Sequence, residues 1–121
     1  MCIRDRVDFA LEYSNYYNDV EREELEYYVD LHRQYGTLLS IYDKDQLICV
    51  ARWNWLSWHT IQVIDVIVKP GYRHLGILKY LLSTVKTKYP LFKWFTYDRH
   101  KDGKSRGYAV KQWLKGDSNG R

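Results

Sequence analysis

The stretch at residues 63–90 constrains the fold most, because it predicts a buried strand, a short loop and a helix in direct succession. Residues 63–68 form a β-branched run that only Asp65 interrupts, a pattern typical of a strand that is buried on both faces. Pro70 ends this strand. Apolar residues then recur at steps of three and four, which predicts an amphipathic helix over 74–89.

The loop between this strand and this helix has the composition of an anion-binding turn. Arg73 supplies positive charge, and Gly76 lets backbone N–H groups approach a ligand closely. The free N–H groups of the first helical turn point outward, and the helix dipole favours negative charge there. We therefore expect a phosphate site at residues 73–78. The alternative is a surface arginine beside a glycine at a tight helix entry.

An earlier helix is predicted over residues 19–35. Asn18 is a suitable N-cap, and Glu21 three residues later completes a capping-box pattern. Gly36 follows the last turn and predicts a C′ residue. His32 shares the apolar face of this helix, and we interpret it as a structural residue.

The remaining pattern predicts a mixed sheet and hence an α/β (α+β) fold class. Two strands joined by the polar turn at 43–46 are expected to form an antiparallel hairpin. The two later strands are separated by a helix and should therefore lie parallel in one sheet. A charged loop is expected at 98–107, and residues 108–115 are predicted to form either a last strand or a short helix. The predicted strands are 37–43, 46–53, 61–69 and 92–97.

The predicted domain organisation is a single domain at residues 7–115. The first six residues, MCIRDR, resemble a spurious leader of translated metagenomic sequences, and we expect them to be non-native. Residues 7–17 are ambiguous between a short helix and a loop. The tail at residues 116–121 is expected to be disordered.

Charge is distributed unevenly along the chain. Residues 1–68 contain 6 Lys or Arg against 12 Asp or Glu, a balance of −6, whereas residues 69–121 contain 13 against 3, a balance of +10. The basic half would concentrate a polyanionic ligand, which could be a nucleotide cofactor or a nucleic acid.

No apolar run approaches the ~20 residues of a membrane span. Cys2 and Cys49 make no disulfide framework, which favours a reducing cytoplasm.

The segment VKPGYRHLGIL at residues 68–78 resembles motif A of the GNAT N-acetyltransferase superfamily, in which an apolar strand ending in Val-x-Pro precedes Arg-x-x-Gly and a long helix. The preceding order of helix, hairpin and strand also resembles the GNAT core, and the C-terminal half is similar to small GNAT-like proteins of tailed phages. The resemblance implies a GNAT-like mixed sheet with two parallel central strands. It further implies direct acyl transfer from acetyl-CoA, or a related acyl-CoA, to an amine on a small molecule or a protein.

The resemblance also implies which residues bind the cofactor. In the family, backbone groups at the end of the strand bind the pantetheine arm, and loop amides wrap the pyrophosphate. At residue 78 this chain departs from the family, which prefers a second Gly or Ala there. The implied pantetheine-binding residues are Val66, Ile67 and Val68, and the implied pyrophosphate-binding residues are Arg73, His74, Leu75, Gly76, Ile77 and Leu78.

Three residues are candidates for proton transfer. Asp65, an acid within an apolar strand, is a candidate general base, and the alternative is an Asp that is paired or faces an edge. Tyr97 and Tyr108 are candidates to protonate the leaving thiolate. A tryptophan-rich segment after the hairpin is expected to form a strand end and a loop, and it either lines an acceptor pocket or packs in the core. This segment contains Trp53, Trp55, Trp58 and His59.

A second class of function stays open beside catalysis. A GNAT-like scaffold without turnover would bind nucleic acid through its basic C-terminal half, or would bind a phage or host protein. A structural component of a phage particle is a third possibility. The histidines and cysteines show no metal-ligand spacing, so no metal is expected. The expected location is the cytoplasm, with a phage gene in a bacterial host as the source.

Overall fold

The computed structural model describes residues 3–14, 21–73, 76–99, 104–111 and 114. In chain order its elements are α1 (Ile3–Tyr13), α2 (Arg22–Gln34), β1 (Leu38–Asp43), β2 (Gln46–Ser57), β3 (Thr60–Val68), α3 (Ile77–Lys88), β4 (Trp94–Arg99) and β5 (Lys104–Ala109). Five strands form a sheet in the order β1-β2-β3-β4-β5. β3 and β4 are parallel, whereas β1 and β2, and β4 and β5, are antiparallel. The predicted α/β class, with its hairpin and its two parallel central strands, is confirmed.

The chain divides into two compact units, and strands β2 and β3 contribute residues to both. Unit one comprises Met1–Arg52 and Asp65–Tyr72, and unit two comprises Trp53–Ile64 and Arg73–Arg121. The single domain at 7–115, the non-native leader and the disordered tail stay predictions.

Unit one is built around a hydrophobic cluster to which α1 and α2 each contribute one face. The segment that was ambiguous in sequence is helical as far as Tyr13, because burial of an apolar face stabilises a helix whose local signal is weak. This helix begins at Ile3, and Arg6 Nε donates a hydrogen bond to Ser40 Oγ at 2.7 Å. The buried cluster comprises Val7, Phe9, Ala10, Leu25, Val29, Val50 and Ile67.

Helix α2 begins at Arg22, three residues later than predicted, with Glu21 as its N-cap residue. Glu21 makes no side-chain capping bond, and the predicted cap Asn18 lies outside the described residues. Glu23 and Glu24 occupy the first turn, where negative charge interacts favourably with the helix dipole. The interaction of these carboxylates with the helix dipole therefore stabilises the N-terminus of α2, where Glu21 provides no side-chain cap.

The predicted end of α2 is confirmed. Gly36 has a left-handed φ of +71°, and its N–H donates to the Arg33 carbonyl at 3.2 Å. The Thr37 N–H donates to the His32 carbonyl at 2.9 Å, which completes a Schellman motif. His32 Nδ1 also lies 2.7 Å from the Thr37 hydroxyl oxygen, and both side chains are buried. His32 is therefore a structural residue of the helix end, as its spacing predicted.

Strand β2 runs through Ser57, so the prediction that the tryptophan-rich segment leaves the strand was wrong. Trp53 is buried and Asn54 is exposed, which is the alternation of a pleated strand. Aromatic residues favour strands, and the chain turns only at Trp58 and His59 before β3. The aromatic side chains thus belong to the sheet itself.

Strand β3 also differs from its prediction. Its odd-numbered residues Ile61, Val63, Asp65 and Ile67 are buried, whereas the even-numbered side chains are half-buried. The run of β-branched residues therefore reflects the preference of such residues for strands, and only one face is tightly packed. Hydrophobic pattern alone does not separate these two causes.

Unit two contains α3, β4, β5, the second half of β2 and the first half of β3. Strand β5 occupies residues 104–109, where the sequence analysis placed the end of a charged loop and the start of an undecided element. The loop prediction was wrong at residues 98–99 and 104–107, which belong to β4 and β5, and its middle part at 100–103 lies outside the described residues. Strand β5 is an edge strand, and edge strands commonly carry charged residues. Val110 and Lys111 follow in helical conformation. The fully buried core residues here include Ile61, Leu81, Leu82, Phe92 and Phe95.

Candidate functional site

The start of α3 has the geometry of an anion site. The helix begins at Ile77, three residues later than predicted, and Gly76 is its N-cap with φ 73° and ψ 29°. A Cβ placed on Gly76 would have no atom within 4 Å among the described residues other than its chain neighbour, so these residues leave space for a ligand on that side. Its carbonyl accepts from the Tyr80 N–H at 2.9 Å, and the N–H groups of the intervening first turn have no intrahelical acceptor.

The charges of the side chains around the start of α3 favour binding of a negatively charged ligand. Arg73 is exposed, and the described first turn of α3 contains no acidic residue. Ile77 and Leu78 are half-buried. His74 and Leu75, which the resemblance also assigned to pyrophosphate binding, lie outside the described residues. The described residues here thus combine a cation, backbone N–H groups that have no intrahelical acceptor and the positive end of a helix dipole.

The second half of β3 carries the three residues expected to bind pantetheine. The ladder with β4 pairs residues 60–63 with residues 94–97, and β3 then continues to Val68. Val66, Ile67 and Val68 therefore lie beyond that ladder, and Ile67 is part of the buried cluster of unit one. The Lys69 N–H donates to the Ile48 carbonyl at 2.9 Å. This bond holds the end of the strand on its β2 side.

Asp65 forms a buried ion pair with Arg52. Asp65 Oδ2 accepts from Arg52 Nη2 at 2.8 Å and from Arg52 Nε at 3.1 Å, and the two residues are 8% and 7% exposed. This is the paired arrangement that the sequence analysis gave as the alternative to a general base. The catalytic role of Asp65 stays a prediction.

Arg52, the buried partner of Asp65, was not predicted from the sequence. A signal was present, because Arg52 is a lone charge in the apolar run 47–53, as Asp65 is in the run of β3. Two isolated opposite charges on consecutive strands are expected to pair when the strands do, since a buried charge without a partner is costly.

Tyr97 and Tyr108 lie on the same face of the β4–β5 pair. Phe95 is in register with Tyr108, and Tyr97 is two residues further along the same strand. The Phe95 and Tyr108 rings stack with centroids 5.2 Å apart and an interplanar angle of 25°. Both tyrosines are half-buried, and Tyr97 is also in register with Val63 of β3. The structure thus brings the two candidates together, while their role in proton transfer stays a prediction.

The tryptophan-rich segment divides between core and surface. Trp53 is buried, and Trp55 makes edge-to-face contacts with Tyr89 and Phe92 at centroid distances of 4.9 and 6.0 Å. Trp58 is exposed beside His59, whose Nδ1 lies 2.6 Å from the hydroxyl oxygen of the next residue. Trp53 and Trp55 are therefore packing residues. Across the described ranges no group of His, Cys, Asp and Glu could hold a metal ion.

Cys49 is a buried thiol, and its reactivity gives a test of unit one. Burial raises the pKa of this thiol to about 12, and the Asp65 carboxylate contributes in the same direction. In a Cys2→Ser background we expect a disulfide reagent such as DTNB to leave the native protein unmodified and to modify one thiol after unfolding in urea. Rapid modification of the native protein would contradict the burial of Cys49.

The same thiol predicts a pH dependence of stability. Its pKa is higher in the folded protein than the ordinary 9.0 expected of the unfolded chain. The unfolded chain therefore loses this proton first, and the free energy of unfolding falls as the pH rises from about 9 to about 12. Below pH 9 the contribution is fully present. A Cys49→Ala variant should lack this component in urea titrations at graded pH.

The fold defines a class: an α/β protein in which a strand of the parallel pair leads through a glycine-containing loop to a helix. The sequence profile of the Acetyltransferase (GNAT) family matches residues 6–95. This match covers most of the chain, so the protein belongs to the GNAT acetyltransferase family. A comparison with curated protein sequences finds no match. None of the described helices has the length and apolar content needed to cross a membrane.

Solved structures share the fold at low sequence identity. A putative GNAT-family acetyltransferase from Desulfovibrio desulfuricans has 18% identity and a TM-score of 0.56 over 80% of this chain. Ard1 from Thermoplasma volcanium has 12% identity and a TM-score of 0.59 over 84% of this chain and 70% of its own. The PaiA N-acetyltransferase from Thermoplasma acidophilum, solved with coenzyme A, has 16% identity and a TM-score of 0.55 over 85% of this chain and 78% of its own. The chain spans only 65% of the Desulfovibrio protein.

Proposed function

We propose that this protein is an acyl-CoA-dependent N-acyltransferase that uses acetyl-CoA or a related acyl-CoA. The observation that carries the proposal is the start of α3, where Gly76 holds a left-handed conformation beside open space and Arg73 adds positive charge. A diphosphate needs this combination of backbone donors, a helix dipole and a cation. The coenzyme A in the PaiA structure supports the same choice of cofactor.

The two parts of the cofactor would engage consecutive segments of the chain. The pyrophosphate would bind residues 73–78, and the pantetheine arm would bind the backbone of residues 66–68. Only four residues, 69–72, separate the two segments along the chain. The family prefers Gly or Ala at the position of Leu78. The larger side chain would be tolerated here because backbone N–H groups make the contacts with the pyrophosphate.

The proposed reaction is direct transfer without a covalent enzyme intermediate. The amine nitrogen attacks the thioester carbonyl, a C–N bond forms, the C–S bond breaks, and the coenzyme thiolate leaves. Asp65, directly or through water, would take the proton from the amine, and Tyr97 or Tyr108 would protonate the thiolate. Positioning of the amine against the thioester supplies much of the acceleration. The acceptor would be an amine on a small molecule or a protein, and the reaction would take place in the cytoplasm.

A matched pair of glycine variants tests the proposed diphosphate site. Gly76 and Gly36 have nearly equal φ values, 73° and 71°, and a Cβ would meet nothing within 4 Å at either. Each substitution by alanine is expected to lower the free energy of unfolding by the same amount, about 1–2 kcal/mol. Only Gly76→Ala should also remove most of the thermal stabilisation by coenzyme A, because only there would the methyl group face a ligand.

Thermal shift with coenzyme A and with ADP, followed by an acetyl-CoA turnover assay, measures these outcomes. Equal loss of the coenzyme A shift in Gly76→Ala and Gly36→Ala would mean that the loss is a stability effect and would contradict the assigned site. A larger thermal shift with a short oligonucleotide than with coenzyme A would contradict the proposal that an acyl-CoA is the ligand.

A further inference from the structure

A concave apolar surface lies in unit two, beside the first residues of β4. We name it the lysine-rimmed groove, and its volume is about 720 Å³. It is defined by the apolar side chains of Phe92, Trp94, Val110 and Leu114 and by the lysines Lys93 and Lys111. The proposed transfer reaction uses none of these residues.

Core residues lie beneath the groove, and its wall is exposed. Phe92 and Val110 are buried, at 0% and 1% exposure, and so belong to the core of unit two. Trp94 is 48% exposed, and its register partner on β5 is Ala109, whose small side chain leaves the indole uncovered on that side. An indole surface exposed within a concavity is typical of ligand sites, because its burial by a ligand is favourable.

The rim of the groove is cationic. Lys93 and Lys111 are exposed, and the described residues that line the groove include no acid. Lys86 also lines it, and its Nζ donates to the carbonyls of Pro90 at 2.7 Å and Phe92 at 2.9 Å. These bonds hold a third positive charge at the edge of the apolar floor. The field at the groove therefore favours an anion.

The groove is separate from the proposed diphosphate site. Lys86 lies in the last turn of α3, and Gly76 precedes the first. Ten residues of helix at 1.5 Å each place the two about 15 Å apart along the helix axis. A ligand in the groove would therefore leave the start of α3 free.

We propose that the lysine-rimmed groove binds a fatty carboxylate, with the acyl chain against Trp94 and Leu114 and the carboxylate between Lys93 and Lys111. The volume lies within the ~300–1,000 Å³ of small-molecule pockets and is lined mainly by apolar groups with few polar ones. A protein partner would need a far larger complementary area. The single-signed rim distinguishes a fatty anion from a neutral or cationic amphiphile.

Calorimetric titration with dodecanoate and with dodecylammonium, both below micelle formation, tests the proposal. Dodecanoate should bind at least about tenfold more tightly than dodecylammonium. The Lys93→Glu/Lys111→Glu variant should reverse this order, whereas Lys88→Glu, the same charge change outside the groove, should leave it intact. Trp94→Ser should weaken both ligands, because the apolar wall is lost. The thermal shift with coenzyme A should be retained in every variant, which separates this proposal from the proposed function.

Three results would overturn the proposal. One is equal affinity for the two amphiphiles, and another is unchanged dodecanoate affinity in the double rim variant while circular dichroism shows it folded. The third is a dimer in analytical ultracentrifugation that Trp94→Ser converts to a monomer, because the groove would then be occupied by a second copy of the chain.

Discussion

Breaking the Arg52–Asp65 ion pair from one side, with Asp65→Asn or Arg52→Met, is expected to lower the free energy of unfolding by about 3–5 kcal/mol. Both side chains are almost fully buried, and both hydrogen bonds of the pair end on the same carboxylate oxygen. Removing one partner leaves the other charge desolvated without its counter-charge. Urea unfolding followed by circular dichroism measures the change.

The double variant Arg52→Met/Asp65→Val is the matched control. Apolar side chains in place of both charges avoid the desolvation cost, so the double variant should be within about 1 kcal/mol of the native protein or more stable. A double-mutant cycle then gives a large coupling energy. Additive single effects below about 1 kcal/mol each would show that the pair does not stabilise unit one.

The same double variant separates structure from catalysis at Asp65. A general base contributes about 10²–10⁴-fold to the rate. If the folded double variant loses activity to this extent and its pH–rate profile loses a limb, the proposed role of Asp65 is supported. If it retains activity with an unchanged profile, Asp65 is a structural residue only.

Reversing the charge of Arg73 is expected to abolish stabilisation by coenzyme A. A charge-assisted hydrogen bond contributes about 1.5–3 kcal/mol, and a glutamate would add repulsion of the diphosphate, so we expect Arg73→Glu to weaken binding at least about 100-fold. The loss should be equally large for ADP, which contains the diphosphate but lacks the pantetheine arm. Calorimetric titration and thermal shift measure both ligands.

Lys88→Glu is the control for this prediction. It makes the same charge change on an exposed residue in the last turn of α3 and is expected to leave the affinity for coenzyme A within about twofold. Comparable losses in the two variants would mean that the general positive field attracts the ligand. Full binding by Arg73→Glu would exclude the proposed diphosphate site.

The local elements were predictable because their signals lie within a few residues of one another. The turn at 43–46 and the end of α2 at Gly36 depend on short polar and glycine patterns that act locally. The order of strand, loop and helix at residues 60–88 likewise follows from a change of hydrophobic period. The fold class and the position of the proposed diphosphate site were predicted from these features.

Elements that depend on distant partners were not predictable in the same way. Strand β5 is polar, and its conformation follows from its place at the edge of the sheet beside β4. The helical state of α1 follows from burial of its apolar face in unit one. The interpretation of Asp65 depended on Arg52, thirteen residues away in sequence, and the pairing of their strands brings them together.

The α/β class, the hairpin, the parallel pair and the glycine-containing turn before α3 follow from local backbone preferences and from the hydrophobic period of the amino-acid sequence. The ion pair of Asp65, the burial of Trp53, the ring contacts of Trp55 and the lysine-rimmed groove beside Trp94 depend on how the chain folds in three dimensions. Pairing, burial and concavity are properties of residues that meet only after folding, since each depends on which distant surfaces exclude water together.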